Sequence, residues 1–291
     1  MRRAAALLLT IATVAGVTTL TGPPTTAAPI TIGRLHASFQ PTDGKIYILV
    51  IGNDARVGNP THSRADAIHI VGINTKTMKG GILNFPRDSW VNVPGYGSRK
   101  INEALYFGGP ELLARTLQHM TGIELDYWTM VGFQDFVKII RALGGVKIHL
   151  PSSVYDPGGS GARLKAGTQK LWAQQSLAYL RTRKSFGGGD VTRTTNHGRF
   201  LLALLRKLRG EIAHNPSSML RWMTVTQRHA RYDMSAQEMF RLAVVASQLK
   251  AKNISNVTVP VSVGSVGAAS VVFINGSAGS IYRRFKQNAS L

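Results

Sequence analysis

Three short apolar runs near the start of the chain limit its possible folds more than any other feature. They are Lys45-Ile46-Tyr47-Ile48-Leu49-Val50-Ile51, Ala67-Ile68-His69-Ile70-Val71-Gly72-Ile73 and Gly81-Ile82-Leu83-Asn84-Phe85. Each is mostly apolar with β-branched residues and reads as a buried strand. Residues Asn74 to Gly80 form a turn between the second and third, and Pro86 stops the third. A hairpin through that turn, with the second strand antiparallel to the first, has a geometric consequence. The end of strand one, the start of strand two and the end of strand three must share one edge of the sheet. Asp54, Arg64, Asp66, Arg87 and Asp88 are then expected to converge there, although they are scattered in sequence.

Those carboxylates are scarce. The 291 residues include 14 Asp and Glu against 35 Lys and Arg, a net charge of +21. Yet Asp54, Asp66, Asp88 and Asp190 each lie within three residues of an arginine. Arginine forks match phosphate oxygens, and carboxylates suit a hard cation such as Mg²⁺. The mixture therefore points to a site for a metal-bound, multiply charged phosphate. The overall charge predicts attraction to polyanions, whether nucleic acid, anionic lipid or cell-wall polymer. Cysteine is absent, which excludes disulfides, thiol catalysis and Cys-based metal centres. The eight histidines show no metal-binding spacing.

The N-terminus carries Met1-Arg2-Arg3, an apolar run from Ala4 to Leu20, and small residues around Ala27 and Ala28. Residues 1–28 read as a signal peptide or an N-terminal membrane anchor, and 29–44 as a linker. In either case the body from Lys45 onward is expected outside the cytoplasm, secreted or anchored at the cell envelope.

Further on, Pro110 to Met120 reads as a helix closed by Gly122, and Tyr127 to Val131 as a strand. Gln134 to Leu143 is a helix, and Val146 to Leu150 another strand. Thr192 to Leu208 is a long amphipathic helix. Ser235 and Glu238 form a capping box, which assigns Glu238 to structure rather than chemistry. Ile254 to Val263 and Ala269 to Ile274 are late strands before a terminal helix. Mixed elements without repeats or an interior linker predict a single α/β domain, spanning 45–291.

Arg181 and Arg183 are two apart. With Leu171 to Ala178 helical and Tyr179 to Arg183 extended, both side chains point the same way. Gly187-Gly188-Gly189 then permits close backbone approach before Asp190. Arg193 opens the long helix, where free amides favour an anion. His197 lies one turn later and can reach the same ligand, although a lone helical histidine also serves packing. Lys100 is a further phosphate contact, with Glu103 beside it. Ser63 and Ser89 lie near these acids, but no Gly-x-Ser-x-Gly elbow supports a serine nucleophile.

Gly52-Asn53-Asp54-Ala55-Arg56, Arg64-Ala65-Asp66, Phe85-Pro86-Arg87-Asp88 and Lys100-Ile101-Asn102-Glu103-Ala104 occur in that order. Gly108-Gly109-Pro110, Leu143-Gly144-Gly145-Val146, Tyr179-Leu180-Arg181-Thr182-Arg183 and Gly189-Asp190-x-x-Arg193 complete the series. The series, densest over 45–209, resembles the LytR–CpsA–Psr family of bacterial envelope enzymes. The resemblance implies a single three-layer α/β/α domain around a mixed central sheet, and a Mg²⁺-dependent phosphotransferase that moves an anionic glycopolymer from a polyprenyl-pyrophosphate carrier at the membrane surface to peptidoglycan. It implies that Asp54 and Asp66 hold Mg²⁺, and that Arg87, Arg181, Arg183 and Arg193 grip the pyrophosphate. Arg64, Asp88, Lys100 and Asp190 are then supporting members, with Asp88 the candidate base. After Arg193 the family pattern has a second Arg and then Gln. This chain has Asn196 and His197, with Arg199 as the residue to replace the missing contact. Other readings are a non-catalytic polyprenyl-phosphate binder and a lipid pyrophosphatase. A DNA-binding regulator is disfavoured by the export signal and the lack of a helix-turn-helix, so no nucleic-acid partner is expected.

Overall fold

A computed structural model of the chain describes residues 43–54, 60–183, 185 and 189–291. The signal or anchor segment and most of the linker lie outside these residues, as do Arg56, Gly187 and Gly188. The chain runs β1 (Lys45–Asn53), β2 (Ala65–Asn74), β3 (Lys79–Phe85), β4 (Trp90–Val93), β5 (Gly97–Lys100), α1 (Glu103–Thr121), β6 (Tyr127–Gly132) and α2 (Phe133–Ala142). It continues with β7 (Val146–Leu150), β8 (Val154–Asp156), β9 (Ala162–Leu164), β10 (Gly167–Leu171), α3 (Ala173–Arg181) and α4 (Gly189–His214). Then come α5 (Ser218–His229), β11 (Arg231–Tyr232), α6 (Ala236–Gln248), β12 (Ile254–Thr258), β13 (Val261–Val266), β14 (Ala269–Ile274) and α7 (Ala278–Asn288).

The central sheet has the order β11-β6-β1-β2-β3-β12. β1 and β2 are antiparallel, as are β2 and β3, while β1 pairs with β6 and β3 with β12 in parallel. It is the mixed sheet expected, and the β2–β3 hairpin closes with Asn74 opposite Lys79. Alternation along β1 sends its side chains to two faces. Ile46 and Ile48 pack with Ile73 and Tyr127 against Leu205 of α4 and Leu242 and Val245 of α6. On the opposite face, the Tyr47 ring meets Phe285 of α7 edge-on, with centroids 5.7 Å apart. The Tyr47 hydroxyl lies 2.9 Å from the Phe285 carbonyl and 2.8 Å from that of Lys286, so it ties the first strand to the last helix. Lys45 Nζ reaches the carbonyl of Gln287 at 3.4 Å in the same corner. α1 packs beside α7 on this face, which completes the three layers.

α1 is interrupted where Gly108 and Gly109 leave helical geometry, Gly109 at φ +66°. Its main segment therefore starts at Pro110, as expected, and ends on left-handed Gly122. The Ser235–Glu238 capping box is present: Glu238 N donates to Ser235 Oγ at 3.2 Å, and Ser235 N to Glu238 Oε2 at 2.6 Å.

Two expectations are corrected. α3 extends to Arg181, so only Thr182 and Arg183 leave it in extended form. Its start is set by Gln175, whose side-chain oxygen accepts from Trp172 N at 3.0 Å. The late strand 254–263 is two strands, because Pro260 has no N–H to continue a ladder. β7 is not in the central sheet but pairs with β10. That ladder, the β8–β9 hairpin, α2 and α3 close around Phe200 and Ala203 of α4 as a second core. Among the described residues, no helix is long and apolar enough to cross a membrane.

Candidate active site

Strand register builds the first half of the site. The last β2–β3 pair toward this edge is Ile68 with Phe85, so Asp66 and Arg87, each two residues further out, face one another. They form an ion pair. β1 delivers Asp54 to the same edge, beyond a register shift at Gly52 and Asn53. Asp54, Ser63, Arg64, Asp66, Arg87, Asp88, Lys100 and Glu103 line the wide mouth of one cleft. The expected convergence is therefore present. Arg99 Nη1 lies 3.9 Å from Glu103, and Lys100 Nζ lies 3.0 Å from Asp88 Oδ1. Ser89 is buried and donates to the Pro86 carbonyl at 2.6 Å, so it has a structural role.

Helices supply the second half. Arg181 at the end of α3, Arg183 just beyond it and Arg193 in the first turns of α4 line the inner part of the cleft with Asp54, Asp66 and Arg87. The Arg181 guanidinium lies 5.3 Å from the centroid of the Phe133 ring. Asp190 stands behind the cleft. Its Oδ1 is 2.6 Å from Arg193 Nη2 and 3.8 Å from Arg87 Nε. It holds two cations side by side that would otherwise repel. Burial works against the Arg87 charge, but Asp66, and then Asp190 and Asp88, outweigh it and raise its pKa. Arg193 is more deeply buried. Desolvation lowers its pKa despite Asp190, with Arg87 adding to the lowering. An arriving anion would relieve that cost.

One charged member of the inner cleft was not foreseen from the sequence. Asp156, at the end of β8, is buried; its Oδ2 accepts from Thr182 Oγ1 and from Ser160 N, both at 3.1 Å. Thr182 lies between the two arginines, so this carboxylate sets their backbone. The only sequence signal was a tight turn, Asp156-Pro157-Gly158-Gly159, which reads as loop chemistry.

Behind Arg193 and Arg181 an apolar cavity of about 190 Å³ opens. Phe136 and Ile139 of α2, Leu177 and Leu180 of α3, and Leu201 and Leu204 of α4 wall it. It shares Asp66, Phe133, Arg181 and Arg193 with the charged cleft. His197 lies in this apolar wall rather than in the charged cleft, which corrects the expected placement beside the phosphate-gripping arginines. Its Nε2–H donates to the Leu180 carbonyl at 2.8 Å, leaving Nδ1 buried and unprotonated. The ring stands 5.5 Å from His69, edge-on. Desolvation, and then His69 and Arg193, push the His197 pKa well down, so the ring is neutral. Asn196 is buried away from both chambers, and exposed Arg199 donates to its Oδ1 at 2.8 Å. Arg199 thus supports Asn196 and does not line the cleft in place of the missing arginine.

Among the described residues, no group of three or more His, Asp or Glu side chains is arranged to hold a metal ion. Asp54 and Asp66 nevertheless line the same cleft. Two carboxylates fit Mg²⁺, which commonly takes its remaining ligands from water and substrate phosphates.

A model of the LytR_cpsA_psr family matches residues 25–287. The chain is 35% identical over 164 residues to the probable cell wall biosynthesis protein LcpB of Corynebacterium glutamicum, covering 56% of this chain and 38% of that protein. It is 33% identical over 178 residues to the polyisoprenyl-teichoic acid–peptidoglycan teichoic acid transferase TagT of Bacillus subtilis, covering 58% of this chain and 54% of that one. These alignments thus span about half or less of each curated relative's length. The solved structure of TagT bound to LI-WTA superposes with a TM-score of 0.71 at 24% identity, covering 87% of this chain and 93% of that one. That likeness speaks to the fold.

Proposed function

The chain belongs to the LytR_cpsA_psr family, and from that premise we propose that it is an envelope phosphotransferase. It takes a glycopolymer from a polyprenyl-diphosphate carrier and joins it to peptidoglycan outside the cytoplasm. One observation carries the reading: an apolar cavity and an arginine-lined cleft share the wall residues Asp66, Phe133, Arg181 and Arg193. A ligand spanning both must be a diphosphate or similar anion on a long hydrocarbon. The function named for TagT, transfer of teichoic acid from a polyisoprenyl carrier to peptidoglycan, agrees with that chemistry.

In this reading the prenyl chain enters the cavity between α2, α3 and α4, and the diphosphate lies among Arg87, Arg181, Arg183 and Arg193. An acceptor sugar hydroxyl attacks the phosphorus that carries the glycopolymer. A new P–O bond forms, the phosphoanhydride P–O bond breaks, and polyprenyl phosphate leaves. Mg²⁺ held by Asp54 and Asp66 would supply further neutralisation of phosphate charge. The arginines act by positioning and by stabilising charge on the leaving phosphate. Asp190 keeps Arg87 and Arg193 together, and Arg64 and Lys100 extend the positive field toward the mouth. Asp88, ion-paired with Lys100, is the candidate acceptor of the hydroxyl proton.

The test is to incubate the protein with a polyprenyl-diphosphate-linked saccharide, Mg²⁺ and peptidoglycan fragments, and to seek the phosphodiester by mass spectrometry. Product from wild type and none from Asp66→Ala supports the transferase. Saccharide phosphate released to water, with no conjugate, identifies a pyrophosphatase instead.

A further inference from the structure

Beside Glu103, which lines the cleft, Arg99 leads to an aromatic cluster that phosphoryl transfer leaves unused. Tyr96, at the tip of the β4–β5 hairpin, stacks on Phe107 with centroids 4.7 Å apart and planes 16° from parallel. Tyr106 meets Phe107 edge-on at 5.4 Å. Arg99 reaches over the Phe107 ring at 5.0 Å, and its Nε donates to the Tyr96 carbonyl at 3.0 Å. The cluster is braced yet open to solvent, with Tyr106 55% and Tyr96 43% exposed. Its neighbours in sequence, Lys100 and Glu103, line the mouth of the cleft.

We propose that this cluster is the docking platform for the acceptor glycan, a chain of β-linked N-acetylhexosamines. A sugar ring lies against Tyr106 and Tyr96, and the chain leads its hydroxyl past Lys100 and Glu103 into the cleft. The proposal rests on the transferase reading above. Two chemical features select a saccharide. The C–H face of a pyranose is weakly positive and apolar and suits the negative face of an aromatic ring. Its edge of hydroxyls requires charged or polar partners nearby, and Arg99 lies 5.0 Å from the Phe107 centroid and 3.9 Å from Glu103. Bracing by Phe107 and Arg99 reduces the entropy lost when a ligand orders these side chains.

Placement argues for the acceptor rather than the lipid. The mouth shares only Asp66 with the apolar cavity, whose walls are α2, α3 and α4. A donor whose tail fills that cavity meets the diphosphate site from one side, which leaves the mouth and its platform for the second substrate.

The experiment measures binding of a soluble β-1,4-N-acetylhexosamine tetrasaccharide, of polyprenyl diphosphate and of anionic phospholipid vesicles to the full chain. Wild type is compared with Tyr106→Ala and Tyr106→Trp. The exposed position of Tyr106 makes both variants compatible with the fold. We expect Tyr106→Ala to weaken tetrasaccharide binding about tenfold, Tyr106→Trp to restore it, and diphosphate binding to be unchanged in all three. Equal tetrasaccharide binding by wild type and Tyr106→Ala overturns the platform, as does no binding by wild type. Loss of vesicle binding with tetrasaccharide binding intact also overturns it and marks a membrane contact. Failure of wild type to bind polyprenyl diphosphate would instead sink the transferase reading, a separate result.

Discussion

Arg87 and Asp66 are ion-paired across the β2–β3 hairpin, at the position where the strand register, extended two residues past Ile68 and Phe85, sets them opposite one another. In the proposed function Asp66 is also one of the two carboxylates that would hold Mg²⁺. Binding of a metal-diphosphate would then trade this pair for new contacts, Arg87 to phosphate and Asp66 to the cation.

Arg87→Ala should cut transfer by roughly a thousandfold or more, the scale on which arginines stabilise phosphoryl transfer. Arg87→Lys should recover little, because an ammonium lacks the planar fork. Product yield by mass spectrometry, with thermal midpoints to verify folding, checks both.

His69 gives a pH prediction. Its Nδ1–H donates to Asn84 Oδ1 at 2.7 Å, and burial lowers its pKa to about 4. The unfolded ring, with an ordinary pKa near 6.5, binds more protons in that window. Stability is thus fully present above about pH 6.5 and falls as pH drops toward 4, with His197 adding to the loss in the same direction. Thermal midpoints should fall over this range, and His69→Gln should make the slope shallower. An unchanged slope would mean that His69 titrates normally in the native protein.

Asp156→Ala should act on the arginines without touching phosphate. It removes the acceptor of Thr182 Oγ1 and Ser160 N, a loss of about 1–3 kcal/mol of stability. Affinity for polyprenyl diphosphate should fall as Arg181 and Arg183 lose their fixed backbone, and Asp156→Asn should fall less. Lipid titrations and chemical denaturation separate the two effects.

Gly72→Ala tests the sheet–helix contact at the Lys45 end of the sheet, far from the site. A Cβ there would lie 2.7 Å from Phe285 Cζ and 2.8 Å from the Ala289 carbonyl oxygen. Overpacking of this kind costs about 1–3 kcal/mol. In a Phe285→Leu background the cost should shrink, and a double-mutant cycle measures that coupling.

The strand half of the site was legible because period and turn chemistry fix register. Once Asn74–Lys79 closes a hairpin, Asp66 and Arg87 have no other place to go. The helical half was less so. Arg181 and Arg183 read as a strand pair, whereas the local bond from Trp172 to Gln175 starts α3 later and lets it run through Arg181. Asp156 was hidden because a buried acceptor and a solvent-facing turn residue share one sequence signature. α5 was missed for a related reason: it has no fully buried residue, so its apolar stripe is faint. His197 was found, but its neighbour across the wall, His69, sat unremarked within a strand. Nothing in a period-2 pattern tells which of its side chains lines a cavity.

β1 enters at Lys45, tied to the last helix, and leaves at Asn53 beside Asp54. At about 3.3 Å per residue its nine residues set the point of entry roughly 27 Å from the reacting groups. A surface, bead or fluorophore joined ahead of Lys45 therefore pulls on the blunt end of the molecule. The working end stays clear, so the protein can be immobilised through its front segment and still be offered both a lipid and a polymer.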